Sequence, residues 1–317
     1  MGKTGYFTHP DCRRHDMGRG HPECPERLDA IEDRLLVTGV GDALERREAP
    51  LAPTADIELA HDRRHVASIR GLADEIRDQQ AAGGGELLYI DPDTAMNEFS
   101  WNAALRAAGA ALAATDAVIG GELENAFCAV RPPGHHAMHD RAMGFCIFNN
   151  IAVAARYALE RHGLKRVAIV DFDVHHGNGT EDIFSTDERV LMVGIFQHPF
   201  YPYSGTNPKS DNMVNVPVPA YTKGPAIREL VEQMWLPRLE EFKPEMIFVS
   251  AGFDAHREDD LGQLGLVEAD YEWFTQQIKA VAKRHCKGRI VSSLEGGYNL
   301  SALGRSVEAH LRVLADV

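Results

Sequence analysis

Five short apolar runs recur along the chain from residue 126 onward: AFCAV (126–130), RVAIVDF (166–172), RVLMVGIF (189–196), EMIFVSAG (245–252) and RIVSSLEGG (289–297). Their length, β-branched content and bounding turn residues predict buried strands. Stretches with helical spacing accompany them: PERLDAIEDRLL (25–36), an Ala-rich segment (103–119), FNNIAVAARYALERHG (148–163), GPAIRELVEQMWLPRLEEF (224–242) and DYEWFTQQIKAVAKRH (270–285). This alternation predicts an α/β fold, an open parallel sheet flanked by helices on both faces, in a single domain spanning 1–317. Ligands of such sheets bind beyond the carboxyl ends of the strands, so the polar residues there carry the functional argument.

Four of these ends are chemically loaded. Arg131-Pro132-Pro133-Gly134-His135-His136 follows the first run, and Asp171-Phe172-Asp173-Val174-His175-His176-Gly177-Asn178 closes the second. Asp254 follows the fourth, and Glu295-Gly296-Gly297-Tyr298 ends the fifth. In extended chain Asp173 and His175 point to one side, so a carboxylate and an imidazole can converge on a metal ion, with Asp254 as third ligand. Two oxygens, one nitrogen and a vacant position describe a catalytic zinc site, although iron, cobalt or manganese also suit carboxylates. Alone, D-x-D-x-H is equally compatible with strand-end capping or a salt bridge; the other loaded ends favour the metal.

The two prolines and Gly134 hold the His135-His136 pair rigidly, and a positioned imidazole can take a proton from water and return it to a leaving amine. Asp171 and Asn178 are the candidates to orient these rings. Tyr298, after two glycines, can donate a hydrogen bond to a developing oxyanion. Packed structural histidines and a packed tyrosine are the plain alternatives for each residue taken singly.

Composition narrows the class. Lys and Arg number 33 against 47 Asp and Glu, a net charge of −14, which repels phosphate backbones and attracts cationic substrates or basic segments. The 5 cysteines are scattered without a C-x-x-C pair, so neither a disulfide framework nor a thiolate zinc knuckle is expected, and a cytoplasmic setting fits. The N-terminal MGKTGYFTHPDCRRHD lacks a signal-peptide core, and Arg106 and Asp116 interrupt the Ala-rich segment, so no membrane span is expected.

RPPGHHA, GFCIFNN, DFDVHHGNGT, AGFDAH and EGGYN, with HPECPERLDAI and LAHDRRHVASI nearer the N-terminus, resemble in order and spacing the arginase-like deacetylase superfamily. The chain looks like a bacterial class II histone-deacetylase-like amidohydrolase, a relative of acetylpolyamine amidohydrolases. The resemblance implies a zinc-dependent hydrolase that removes acetyl from a long cationic amine. Asp173, His175 and Asp254 would hold zinc, and Tyr298 would polarise the carbonyl. His136, beside Asn178, would be base and then acid, with His135 an electrostatic partner oriented by Asp171. Gly134, Gly296 and Gly297 would help hold substrate, Phe145 and Tyr201 would wall its channel, and Leu261 would stand at a gatekeeper position. K+ or Na+ would bind backbone around Asp171, Asp173, His175 and Ile195, and a second ion around Phe184, Asp187, Val190 and Asn212. Arg27 would line an acetate exit.

Three residues depart from the common pattern. Asn178 replaces the Asp of class I relatives, which disfavours a cationic His136; Gly194 replaces a Ser hydroxyl of the first cation site; Tyr201 replaces a Phe of the channel wall. The expected substrate is an acylated lysine peptide or protein. An acetylpolyamine is the alternative: Leu261 stands where a polyamine-selective relative has Glu, yet Glu258, Asp259 and Asp260 lie beside it. A dimanganese ureohydrolase would need an H-x-D ligand pattern that is absent after the first loaded strand, and a non-enzymatic acyl-lysine binder would be expected to lack one of the site residues. The loop from Cys12 to Cys24, with His15 and His21, could shape the channel rim or a contact in a homo-oligomer.

Overall fold

The computed structural model describes residues 2–84 and 87–317. Among the described residues there are ten strands: β1 (Thr4–Thr8), β2 (Leu44–Glu48), β3 (Leu88–Tyr89), β4 (Ala95–Met96), β5 (Asn125–Cys128), β6 (Val167–Asp171), β7 (Val190–Gln197), β8 (Met213–Val218), β9 (Met246–Ala251) and β10 (Ile290–Leu294). Eight form one sheet in the order β2-β1-β5-β10-β9-β6-β7-β8, with every neighbouring pair parallel. The short β3 and β4 pair antiparallel on their own.

All five apolar runs are strands, and every residue of β5, β6, β7, β9 and β10 is buried. Burial of both strand faces requires helices on both sides of the sheet. Helices Ser100–Ile119 and Asn150–Glu160 pack together as one cover, while Leu300–Ala315 packs between Glu26–Thr38 and Glu268–His285 as the other. Alanine-rich Ser100–Ile119 approaches its neighbours closely: a Cβ on Gly109 would collide with the Pro50 carbonyl. The segment 224–242 is helical as expected but has a wide π turn at Val231–Trp235, ahead of Pro237, which lacks an N–H.

The connectivity builds the site. The chain lays down β5 and β6 with a gap between them, steps outward through β7 and β8, and returns to fill the gap with β9 and β10. The four loaded ends, distant in sequence, therefore belong to four adjacent strands, β5-β10-β9-β6.

Beneath them, His310 of helix Leu300–Ala315 is fully buried against the Phe127, Phe172 and Phe253 rings. Its Nδ1 lies 2.7 Å from Thr275 Oγ1 and its Nε2 2.9 Å from Ser292 Oγ. Burial pushes its pKa down to about 3, so the folded protein excludes a proton that the unfolded chain binds below pH ~6.5. The stability that neutral His310 supports is therefore complete above that pH and declines as pH falls towards 3. Replacing His310 by Asn removes this linkage. The destabilisation measured in urea for H310N should shrink by roughly 2 kcal/mol between pH 7.5 and pH 5; a difference independent of pH would contradict the assignment.

Candidate active site and metal centre

Backbone amides fix the carboxylates of the site. Asp171 Oδ1 accepts from Asp173 N (3.1 Å), Asp173 Oδ1 from His175 N (2.9 Å), and Asp254 Oδ1 from Val174 N (2.9 Å). Gly296 N, beyond β10, donates to Asp173 Oδ2 at 2.9 Å. His175 Nδ1 then lies 3.0 Å from Asp173 Oδ1 and 3.1 Å from Asp254 Oδ2, and one ligand atom from each residue falls within 4.8 Å of the others. Asp254 Oδ2 is buried and accepts no hydrogen bond. Gly252 and Gly296 are required by the crowding, since a Cβ on either would strike these carboxylates.

The charges are poised for a cation. Burial, and then the Asp173 charge, raise the Asp254 carboxyl to about 7. Burial opposes ionisation of Asp173 too, but His135 and His175 hold it well below the usual range. For His175, burial is outweighed by the Asp173 and Asp254 carboxylates beside its Nδ1, which lift it to about 9 in the ion's absence. An orphaned carboxylate oxygen, a second carboxylate and an imidazole around one point fit a zinc ion.

The tandem histidines have different partners. His135 Nδ1 is 2.9 Å from Asp171 Oδ2, and its Nε2 is 3.7 Å from Asp173 Oδ2. Burial works against its cation, yet Asp173 and Asp171 prevail and raise its pKa. His136 Nδ1 lies 2.7 Å from Asn178 Oδ1, an oxygen that can only accept. Burial, reinforced by His135 and His175, lowers its pKa well below the ordinary value. Glu295 anchors the backbone of Gly134 and His135 from behind: its Oε2 accepts from Gly134 N (2.6 Å) and His135 N (3.0 Å), and its Oε1 from Ser250 Oγ (3.2 Å).

A channel of about 280 Å³ leads to this centre, lined by Asp93, His136, Gly144, Phe145, His175, Phe200, Tyr201, Leu261 and Tyr298. Phe145 has φ 69°, and its N–H rests on the Thr94 hydroxyl at 3.0 Å. Its ring meets Tyr298 edge-on at 5.9 Å, and Phe200 stacks on His175 at 5.4 Å. Tyr298 stands under the Arg27 guanidinium, 5.0 Å from the ring; burial, and then the Asp254 charge, keep its phenol protonated. Asp259 fixes its loop, accepting from Tyr298 N (2.6 Å), Asn299 N (3.0 Å) and Leu261 N (2.9 Å).

The histone deacetylase domain model matches residues 21–314. The chain belongs to the histone deacetylase family. Among its relatives, "Histone deacetylase 14, chloroplastic" of Arabidopsis thaliana is 38% identical over 315 residues, covering 93% of this chain and 73% of that one. The "Histone deacetylase-like amidohydrolase" of Pseudomonas aeruginosa is also 38% identical, over 287 residues, covering 88% and 73%. The "Probable deacetylase" of Archaeoglobus fulgidus is 35% identical over 305 residues, covering 94% and 82%. The crystal structure of the HDA15 HD domain superposes with a TM-score of 0.89 at 34% identity, covering 99% of this chain and 88% of that one. This deacetylase is thus an enzyme of the amidohydrolase class, its fold is that of the family, and the family's catalytic zinc fits the ligand cluster.

Within this deacetylase the expected site residues divide. Asp173, His175, Asp254, His135, His136, Asp171, Asn178 and Tyr298 come together, with Phe145, Tyr201 and Leu261 along the channel. Gly134, Gly296 and Gly297 do not line it: the first turns its N–H to Glu295, the second to Asp173, and Gly297 O accepts from Arg27 Nε at 2.7 Å. Arg27 is buried, its Nη1 donating to Glu23 Oε1 (3.0 Å) and its Nη2 to Glu295 O (2.5 Å). The three acids beside Leu261 are not a common charge patch: Asp259 is buried and bonded to backbone, exposed Glu258 pairs with Arg305 at 2.8 Å, and Asp260 is exposed. His21 packs on Phe145 with centroids 4.7 Å apart, so the 12–24 loop does shape the rim. His176 is structural, between Ser204 Oγ (2.8 Å) and Glu181 Oε2 (3.2 Å).

The four residues of the first monovalent-cation set lie at the end of β6, on the turn after it and in adjacent β7, where Gly194 pairs with Asp171 and offers no hydroxyl. In the second set the Asn212 side chain itself stands among the Phe184, Asp187 and Val190 carbonyls.

Because Gly296 gives its N–H to Asp173 and has no room for a side chain, Gly296→Ala should keep the fold, read by circular dichroism, while zinc content measured by mass spectrometry falls about tenfold or more. Full zinc loading in that variant would contradict the packing described for the ligands.

Proposed function

We propose that this deacetylase removes an acetyl group from a primary amine carried on a long aliphatic stem, with an acetylated lysine side chain as its substrate. The observation that carries the reading is the placing of His136, His175 and Tyr298 together at the inner end of a channel walled by Phe145, Phe200, Tyr201 and Leu261. An acyl-lysine stem is apolar and narrow, and such walls desolvate it while the amide reaches the polar end.

Zinc held by Asp173, His175 and Asp254 would supply Lewis acidity to the amide carbonyl and to the attacking water. Asn178 Oδ1 keeps the His136 proton on Nδ1, leaving the Nε2 lone pair free to take a proton from water and pass it to the leaving nitrogen. The Tyr298 hydroxyl donates to the carbonyl oxygen as negative charge grows there. His135, held between two carboxylates, adds positive charge beside the same centre without transferring a proton.

Tyr298→Phe should lower kcat on an acetyl-lysine reporter about 10²-fold or more with zinc content unchanged; undiminished turnover would remove Tyr298 from the mechanism. Asn178→Asp should raise the pKa of His136, because a carboxylate favours the imidazolium. His136 must be neutral to accept a proton, so the acid limb of the kcat/KM profile should move to higher pH; an unmoved or lowered limb would contradict its role as base. The lysine assignment is tested by specificity constants on acetyl-lysine peptides, acetylputrescine and acetylspermidine measured together. Parity or a polyamine preference would replace it.

A further inference from the structure

Membership of this family leads one to expect a second monovalent cation on the carbonyls of Phe184, Asp187, Val190 and Asn212. Three of those carbonyls do converge, but on an atom of the chain. Asn212 Nδ2 lies 3.1 Å from Phe184 O, 3.1 Å from Asp187 O and 2.9 Å from Val190 O. The surroundings fix the orientation of the amide: its NH2 faces only acceptors, while Asn212 Oδ1 accepts from Ser210 Oγ at 2.5 Å. Swapping the two ends would point an oxygen at three carbonyls.

The carbonyls need such a donor. Phe184 O and Asp187 O each accept one backbone hydrogen bond within the turn, from Asp187 N (2.9 Å) and Val190 N (3.0 Å), and retain a second lone pair. The fourth member of the set is also engaged, since Asn212 O accepts from Met192 N at 2.9 Å. An ion at the common focus of these carbonyls would have to occupy the volume that Nδ2 fills. The amide carries less charge than an ion, but it needs no dehydration and is already tethered, so it loses no translational freedom on binding.

We propose that the Asn212 amide takes the place of the second monovalent cation in this chain, holding the 184–190 turn without K+ or Na+. The consequence reaches the active site, because this turn ends the helix Asn178–Phe184, whose first residue orients His136.

The test uses crystals of the full chain grown in RbCl, where anomalous scattering locates the ion, together with thermal midpoints in KCl and in choline chloride at equal ionic strength. Wild-type crystals should show no rubidium bonded to the Phe184, Asp187 and Val190 carbonyls. Asn212→Asp places a carboxylate against them, which a cation must then separate. That variant should hold rubidium in this cage, and its midpoint should gain a few degrees more from KCl over choline chloride than wild type does. If Asn212→Asp does not fold, Asn212→Ala opens the same cage, with the same two results expected. Rubidium in the wild-type cage with the Asn212 side chain displaced would overturn the proposal. So would variants that fold but gain neither an ion nor potassium dependence, since the cage would then not be one a cation can use.

Discussion

Asp173 and Asp254 are both fully buried and both approach the same nitrogen of His175. Two like charges about 4 Å apart repel by about 4 kcal/mol even at an effective dielectric constant of 20, and desolvation adds to that cost. Such a pair persists ionised only with positive charge between its members. The surrounding architecture answers this one requirement: four adjacent strand ends deliver the groups, glycines 252 and 296 leave them room, and backbone amides hold the remaining oxygens. Asp173, together with Asp171, draws His135 towards its cationic form against the cost of burial, while His136, one residue on and facing an amide oxygen, stays neutral. Two adjacent imidazoles thereby acquire different proton chemistry from their partners alone.

The interior of the sheet was readable in the sequence because strands buried on both faces are predominantly apolar, and β5, β6, β7, β9 and β10 each carry such a run. The outer strands carry no such signal. β2 is LERRE, an edge strand with charged residues facing out, and β8 contains Pro217, which an edge tolerates. β1 is only TGYFT, buried by its neighbours and not marked by composition. Nor does a sequence of strands state their spatial order: that β9 and β10 enter between β5 and β6 is a matter of long-range packing.

The reacting groups were legible for a related reason. His135, Asp173, His175, Asp254 and Tyr298 each follow a strand whose end is marked by the close of an apolar run. Their supports were not. Glu295 and Asp259 act by accepting backbone N–H groups from distant loops, a role open to any carboxylate until the loops are placed. Phe200 is one aromatic among several, and only its stacking on His175 distinguishes it. Arg27 belongs with these supports: its guanidinium is tied to Glu23 and to the carbonyls of Glu295 and Gly297, contacts that depend on loops far apart in sequence.

The central claim is that the buried charge of Asp173 and Asp254 is compensated by one zinc ion bound to these residues and to His175. X-ray absorption at the zinc edge on protein reconstituted with measured metal stoichiometry tests it most directly. The account predicts one zinc per chain in an oxygen-rich shell with a single imidazole. Two metal ions per chain, or a shell with several imidazoles or with sulfur, would contradict it.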